Sequence, residues 1–181
     1  MTNDIASELA KLHELTGSEF SRQVERIAQM KLFHPLDNEV GIYTPGILRN
    51  DDYQNQLVAA RKAVEFGYKV FILPTPKGSR TPDFILEKKN TYRAYDLKTV
   101  FGKASVSTNL LDSIGQCNRI LLNMQVEYST RLLVSDIKRY FDANPFALEV
   151  MIFKGMKRIR VNRFIFDNPS YYRLFKKMYE K

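Results

Sequence analysis

The chain has 181 residues, 44% of them hydrophobic and 12% aromatic, enough for one well-packed core with an appended subdomain and too few for two full domains. A net charge of +8 and a pI near 9.5 favour polyanionic partners, either nucleic acid or an acidic membrane surface. The single cysteine, Cys117, excludes an internal disulfide framework, and with only His13 and His34 a cysteine- or histidine-built zinc site is disfavoured.

In chain order, residues up to about Met30 read as one or two helices, broken at Gly17-Ser18, with Ser18 as N-cap. The N-terminus, MTNDIASELAKLHEL, is polar and acidic where a signal peptide would be basic and then apolar. No apolar run approaches a membrane span. Phe33 to Asp52, with prolines, glycines and scattered aromatics, reads as a loop or irregular linker. This places an N-terminal helical extension and linker at 1–50 and the main domain at 51–181.

The main domain opens with YQNQLVAARKAVEFGYKV, a helix stopped by Gly67. Strands follow at Lys69–Leu73, from Phe84 and over Tyr92–Thr99, the last two joined by the polar turn EKKN. LLDSIGQCNRILLNM reads as the clearest helix, with Leu110, Ile114, Cys117, Leu121 and Met124 as its apolar stripe. Cys117 then reads as a small core residue rather than a nucleophile. Further strands are expected at about Arg131–Val134, Ala147–Phe153 and Arg158–Phe166, with a helix over Ser135–Ala143. Asn168 and Pro169 announce a last helix as N-cap and first helical residue. Tyr171, Leu174, Phe175 and Met178 have the spacing of a packed face and read as core rather than as base-stacking residues. The order predicts an α/β or α+β fold around a mixed sheet. Charge is uneven: KGMKRIRVNR at 154–163 and RLFKK at 173–177 are strongly basic.

One segment poses a chemical question. In TPDFILEKKNTYRAYDLKT, residues 81–99, strand alternation puts Ala94, Asp96 and Lys98 on one face and Tyr95, Leu97 and Thr99 on the other. Burying a carboxylate and an ammonium costs several kcal/mol each unless they are paired or bind something. A bland account is a salt-bridged face on an exposed hairpin. The sharper one uses Asp83, whose end of the hairpin meets that of Asp96. Two converging carboxylates suit a hard divalent ion, Mg²⁺ or Mn²⁺, with Lys98 on the same face to orient water or offset phosphate charge.

With Pro82-Asp83 followed by Asp96-Leu97-Lys98, the segment resembles the PD-(D/E)XK nuclease superfamily. The flanking AARKAVEFGYKVFILP and SIGQCNRILL resemble one branch, the C-terminal tRNase domain of contact-dependent growth inhibition toxins of the CdiA type, over about Tyr53–Phe153. The resemblance implies a nuclease-like core with Asp83, Asp96 and the Leu97 carbonyl as metal ligands, Lys98 as catalytic lysine and Gln116 beside the site. Mg²⁺ or Mn²⁺ is the implied cofactor, other divalent ions being possible. Gln56 occupies the place where members often carry a helix glutamate, and a neutral group there should weaken metal binding or leave a single-ion site. Arg80, Thr81, Thr99, Lys103 and Arg119 are candidate contacts to nucleic acid.

The implied function is a metal-dependent endonuclease on RNA, tRNA being favoured over DNA, as the toxin domain of a bacterial competition system. Its site of action would be cytoplasmic after delivery in a larger secreted toxin, and an acidic immunity protein would be its partner. The alternatives are a DNA endonuclease of a phage or mobile element and a noncatalytic nucleic-acid-binding module that keeps the fold. A phage or mobile-element structural protein that docks through its N-terminal helices is a third, weaker option.

Overall fold

The computed structural model describes residues 2–46, 52–76, 78–102 and 105–181. Helices and strands mix throughout, so the fold class is α+β, as the element order predicts. The chain divides into two compact units, Met1–Asp96 and Leu97–Lys181. The division falls inside one strand, and each unit has its own core.

The first unit begins with helices α1 (Thr2–Ala10) and α2 (Gly17–Ala28), linked by a 3₁₀ turn at Lys11–His13. The break is where the sequence places it, but the cap is Thr16, in extended conformation, and Ser18 lies one turn-position inside α2. The stretch expected as a linker contains two short strands, β1 (His34–Pro35) and β2 (Ile42–Thr44), because Ile42 and Tyr43 pair in parallel with Val70 and Phe71. Helix α3 (Tyr53–Glu65) ends at Gly67, whose φ of 83° is open to glycine at little cost. Strands β3 (Lys69–Ile72), β4 (Phe84–Lys88) and β5 (Thr91–Val100) then pair antiparallel in sequence. Lys89 and Asn90, at φ 51° and 58°, make the tight turn between β4 and β5, a conformation whose twist suits a two-residue hairpin. The Glu87 carboxylate accepts from Asn90 N at 2.7 Å and closes it. On β3, Phe71 gathers Phe33, Tyr43 and Tyr92 at ring-centroid distances of 5.5, 5.1 and 6.4 Å.

In the second unit, helix α4 (Ser105–Asp112) is short, and the long helix expected over 110–124 is not formed. Residues 113–116 are a turn with Gly115 at φ 87°, and Arg119–Met124 is a strand, β6. Ile120, Leu121, Leu122 and Met124 are all buried. An unbroken apolar run of that length serves a strand covered on both faces as well as it serves a helix, and here β6 pairs in parallel with β7 (Glu149–Lys154). Arg131–Val134, expected as a strand, opens helix α5 (Thr130–Ala143), whose cap Ser129 accepts from Leu132 N at 3.4 Å. Strand β8 (Lys157–Val161) runs antiparallel to β7. A 3₁₀ helix at Arg163–Asp167 replaces the rest of the predicted last strand. Asn168 accepts from Ser170 N at 2.8 Å, and helix α6 (Tyr171–Glu180) starts two residues after Pro169. On α6, Tyr171 and Phe175 pack on the core as expected, but the stripe continues through buried Tyr179, while Leu174 and Met178 are about two-fifths exposed. The core joins Ile120 and Leu122, Val150 and Ile152, Ile159 and Val161 with side chains of α5 and α6.

Candidate functional site

Helix α3 aims one polar side chain inward. Gln56 shares a face with Ala59, Ala60 and Ala63, all fully buried, by the spacing that stacks residues three and four apart. At 2% exposure its amide must find a partner or cost free energy. Gln56 Nε2 donates to Asp83 Oδ1 at 3.3 Å.

Asp83 is held by its backbone from both sides. Leu73 N donates to its carbonyl at 2.8 Å, and its own N–H donates to the Tyr95 carbonyl at 3.0 Å. It therefore stands one residue before β4, tied to the neighbour of Asp96 in β5. Asp96 itself is 1% exposed, and Ala94, Tyr95 and Leu97 around it are buried too. Four consecutive buried residues mean that this part of β5 is covered on both faces, so the exposed salt-bridged hairpin does not describe it.

Just before Pro82, Thr81 is 5% exposed. Its Oγ1 is buried with no hydrogen-bond partner among the described residues, which costs an estimated 1–3 kcal/mol and marks a place where a ligand or water would be welcome. The first unit thus brings together Gln56 and Asp83, with Thr81 shortly before Asp83 in the chain and Asp96 next to its backbone partner Tyr95. Arg80, two residues before Pro82, is exposed.

In the second unit, Leu97 is buried, while Lys98 and Thr99 are half-buried on the last part of β5. Thr99 Oγ1 and Arg119 Nε are buried without hydrogen-bond partners among the described residues. Arg119 begins β6 instead of lying on a helix one turn from Gln116. Gln116 sits in the turn after α4, and its amide donates to the Asp112 carbonyl at 3.2 Å. Lys103 lies outside the described residues.

The oxygen atoms of Asp83 and Asp96, the Leu97 carbonyl and the Gln56 amide are all hard donors, the type that Mg²⁺ and Mn²⁺ take. Among the described residues no three His, Cys, Asp or Glu side chains come together, so two carboxylates would hold such an ion without a denser acidic cage. The donor chemistry fits one hard divalent ion better than a soft-metal or zinc centre.

Fold and site together define an α+β protein in which a buried helix amide meets Asp83 just before β4, and a buried Asp96 lies within the adjoining strand β5. No model of a known protein family matches the chain, and no curated protein matches it. A solved structure, a CdiA-CT/CdiI toxin and immunity complex from Burkholderia pseudomallei, is similar at 18% identity over 65% of this chain and 92% of that one, with a TM-score of 0.42. A likeness at that level carries no argument about activity or partner. Among the described residues, no helix is long and apolar enough to cross a membrane.

Proposed function

We propose that the chain is a metal-dependent endonuclease acting on RNA, tRNA before DNA, and that it serves as the toxin domain of a bacterial competition system with an acidic immunity protein. The observation that carries the catalytic part is the buried Asp96 on the strand whose preceding residue, Tyr95, is bonded to Asp83. Two carboxylates on adjoining strands, one just before β4 and one within β5, have a physical use when a cation is shared between them. The motif order Pro82-Asp83 and Asp96-Leu97-Lys98 supports the nuclease class, and the flanking segments support the toxin branch.

In this reading Asp83, Asp96 and the Leu97 carbonyl hold a divalent ion. When bound, it supplies Lewis acidity at a phosphoryl oxygen and a more acidic water. Lys98, two residues along the strand from Asp96, offsets charge that develops on the phosphate and orients the attacking water. Thr81, Thr99 and Arg119 offer buried donors in search of acceptors, the chemistry that phosphate oxygens satisfy. Gln56 orients Asp83 without adding charge.

The test is cleavage of total tRNA and of plasmid DNA with Mg²⁺, Mn²⁺ or EDTA, beside Asp96→Ala. Metal-dependent cuts that vanish in the variant would support the proposal, and the substrate that breaks would choose RNA or DNA. Intact substrates in every lane, with a folded protein that still binds nucleic acid, would instead favour a noncatalytic module.

A further inference from the structure

The charge of the chain is not shared between its units. Leu97–Lys181 holds 15 of the 28 lysines and arginines but only 7 of the 20 acids, so the whole formal excess of +8 lies there. Two hollows on this unit adjoin each other. The larger, about 490 Å³, is bounded by Arg131, Ser135 and Lys138 of α5 and by Tyr171 and Tyr172 of α6. The smaller, about 310 Å³, lies on the far side of Arg131 and Tyr172, which line both. These two side chains form the ridge between them.

The acids bordering the smaller hollow are already matched. Glu127 faces Lys154 at 3.5 Å, and Glu180 faces Lys176 at 3.7 Å while accepting from Thr130 Oγ1 at 2.7 Å. In the larger hollow, Lys138 is drawn to Asp142 at 2.9 Å. Arg131 is exposed and has neither an ion pair nor a hydrogen bond among the described residues. Beside this free guanidinium, Tyr172 is 39% exposed on a helix whose neighbouring aromatics turn inward: Tyr171 packs on Phe166 at 5.3 Å, and Phe175 stacks on Tyr179 at 5.7 Å. A spare cation next to an exposed ring, flanked by nucleotide-sized hollows, provides the two elements of single-strand recognition. They are charge for a phosphate and a π-face for a base.

We propose that the Arg131–Tyr172 ridge is a docking site for unpaired nucleotides, at which Tyr172 stacks on a base and Arg131 contacts the adjoining phosphate. The site rests on the reading of the chain as a nuclease and narrows its substrate to strands with exposed, unstacked bases, because a duplex offers no free base face. Lys138 and Ser135, on the same face of α5 as Arg131, extend the track by further donors.

The experiment measures binding of a short unstructured single-stranded RNA by fluorescence anisotropy. It is run in EDTA, so that cleavage cannot intervene, with the full chain and with Arg131→Ala, Tyr172→Ala and Tyr172→Phe. Arg131→Ala and Tyr172→Ala should each weaken binding about tenfold, and Tyr172→Phe should restore it. The salt dependence of Arg131→Ala should be shallower by about one counterion. A duplex of the same sequence should bind more weakly than the single strand. Wild-type binding by both alanine variants, a Phe variant as weak as the Ala variant, or no binding by the parent would overturn the site. So would polyglutamate binding with the same dependence on Tyr172, which would assign the ridge to an acidic protein segment. Loss of binding in the variants, in a parent that cleaves nothing with any metal, would leave the site standing and the nuclease reading refuted.

Discussion

The amide of Gln56 donates to the carboxylate of Asp83, Nε2 to Oδ1 at 3.3 Å, from a helix position only 2% exposed. A neutral amide satisfies one lone pair of Asp83 and adds no charge of its own. Replacing it by a carboxylate turns this contact into a repulsion between like charges, which a divalent ion relieves. Gln56→Glu should therefore melt at a lower temperature than the parent in EDTA and regain that loss in Mn²⁺. By calorimetry its affinity for Mn²⁺ should rise about tenfold, a shift typical of changed partners around a metal. An equal melting temperature in EDTA and Mn²⁺, with no added affinity, would show that no ion uses Asp83.

The hairpin was legible because its signals are local. EKKN between two β-rich runs, with positive φ at Lys89 and Asn90, fixes the turn, and strand alternation then fixes Asp96 and Lys98 on one face. What escaped the sequence was decided by burial. Leu110 to Met124 satisfies helical spacing, yet Ile120–Leu122 lie in a strand buried on both sides, where period loses its meaning. The same ambiguity set Arg131 on a strand, so its place on α5 opposite Tyr172 was out of reach. The Gln56–Asp83 contact joins residues 27 positions apart, a relation that only packing supplies.

Gly115 distinguishes the turn from the helix by the sign of one measurement. At φ 87°, and with no atom within 4 Å of an added Cβ, alanine meets only backbone strain. Gly115→Ala should destabilise the protein by about 1 kcal/mol, read as a lower midpoint in urea. In a continuous helix the same change would stabilise by about 1 kcal/mol, so a higher midpoint would overturn the turn.

Glu8 ties α1 to α2. It accepts from Gln23 Nε2 at 2.6 Å and pairs with Lys11 and Arg26. The hydrogen bond from Lys11, then that from Gln23, holds its carboxyl below the ordinary value of 4.5. Because the folded state favours the ionised form, this stabilisation is present above the unfolded value and fades as pH falls through the lower, folded one. Thermal melting followed from neutral to acidic pH should show a shallower decline for Glu8→Gln than for the parent. The parent's greater stability at neutral pH should shrink as pH falls below 4.5 and be lost once pH passes the lower, folded value. Parallel curves would show that Glu8 is indifferent to the fold.

At the opposite limit of pH, Tyr128 is 7% exposed in the second unit's core and donates its hydroxyl to Asp136 Oδ2 at 2.9 Å. Burial, reinforced by the bond to Asp136, pushes its phenol up to about 12 from the ordinary value of 10.0. The folded state keeps the proton that the unfolded chain releases first. Stability from this residue is therefore complete below pH 10.0 and declines as pH rises from there towards about 12. Tyr128→Phe keeps the ring but loses the bond, at a cost of about 1 kcal/mol near neutral pH. It also removes the alkaline decline, so the gap between parent and variant should narrow, and then reverse, as pH passes 10.0. An ultraviolet titration of phenolate supplies the direct check, since one late ionisation should be missing from the variant. A parent that loses all its phenolic protons near the ordinary value, while still folded, would refute the assignment and leave the Asp136 bond without energetic weight.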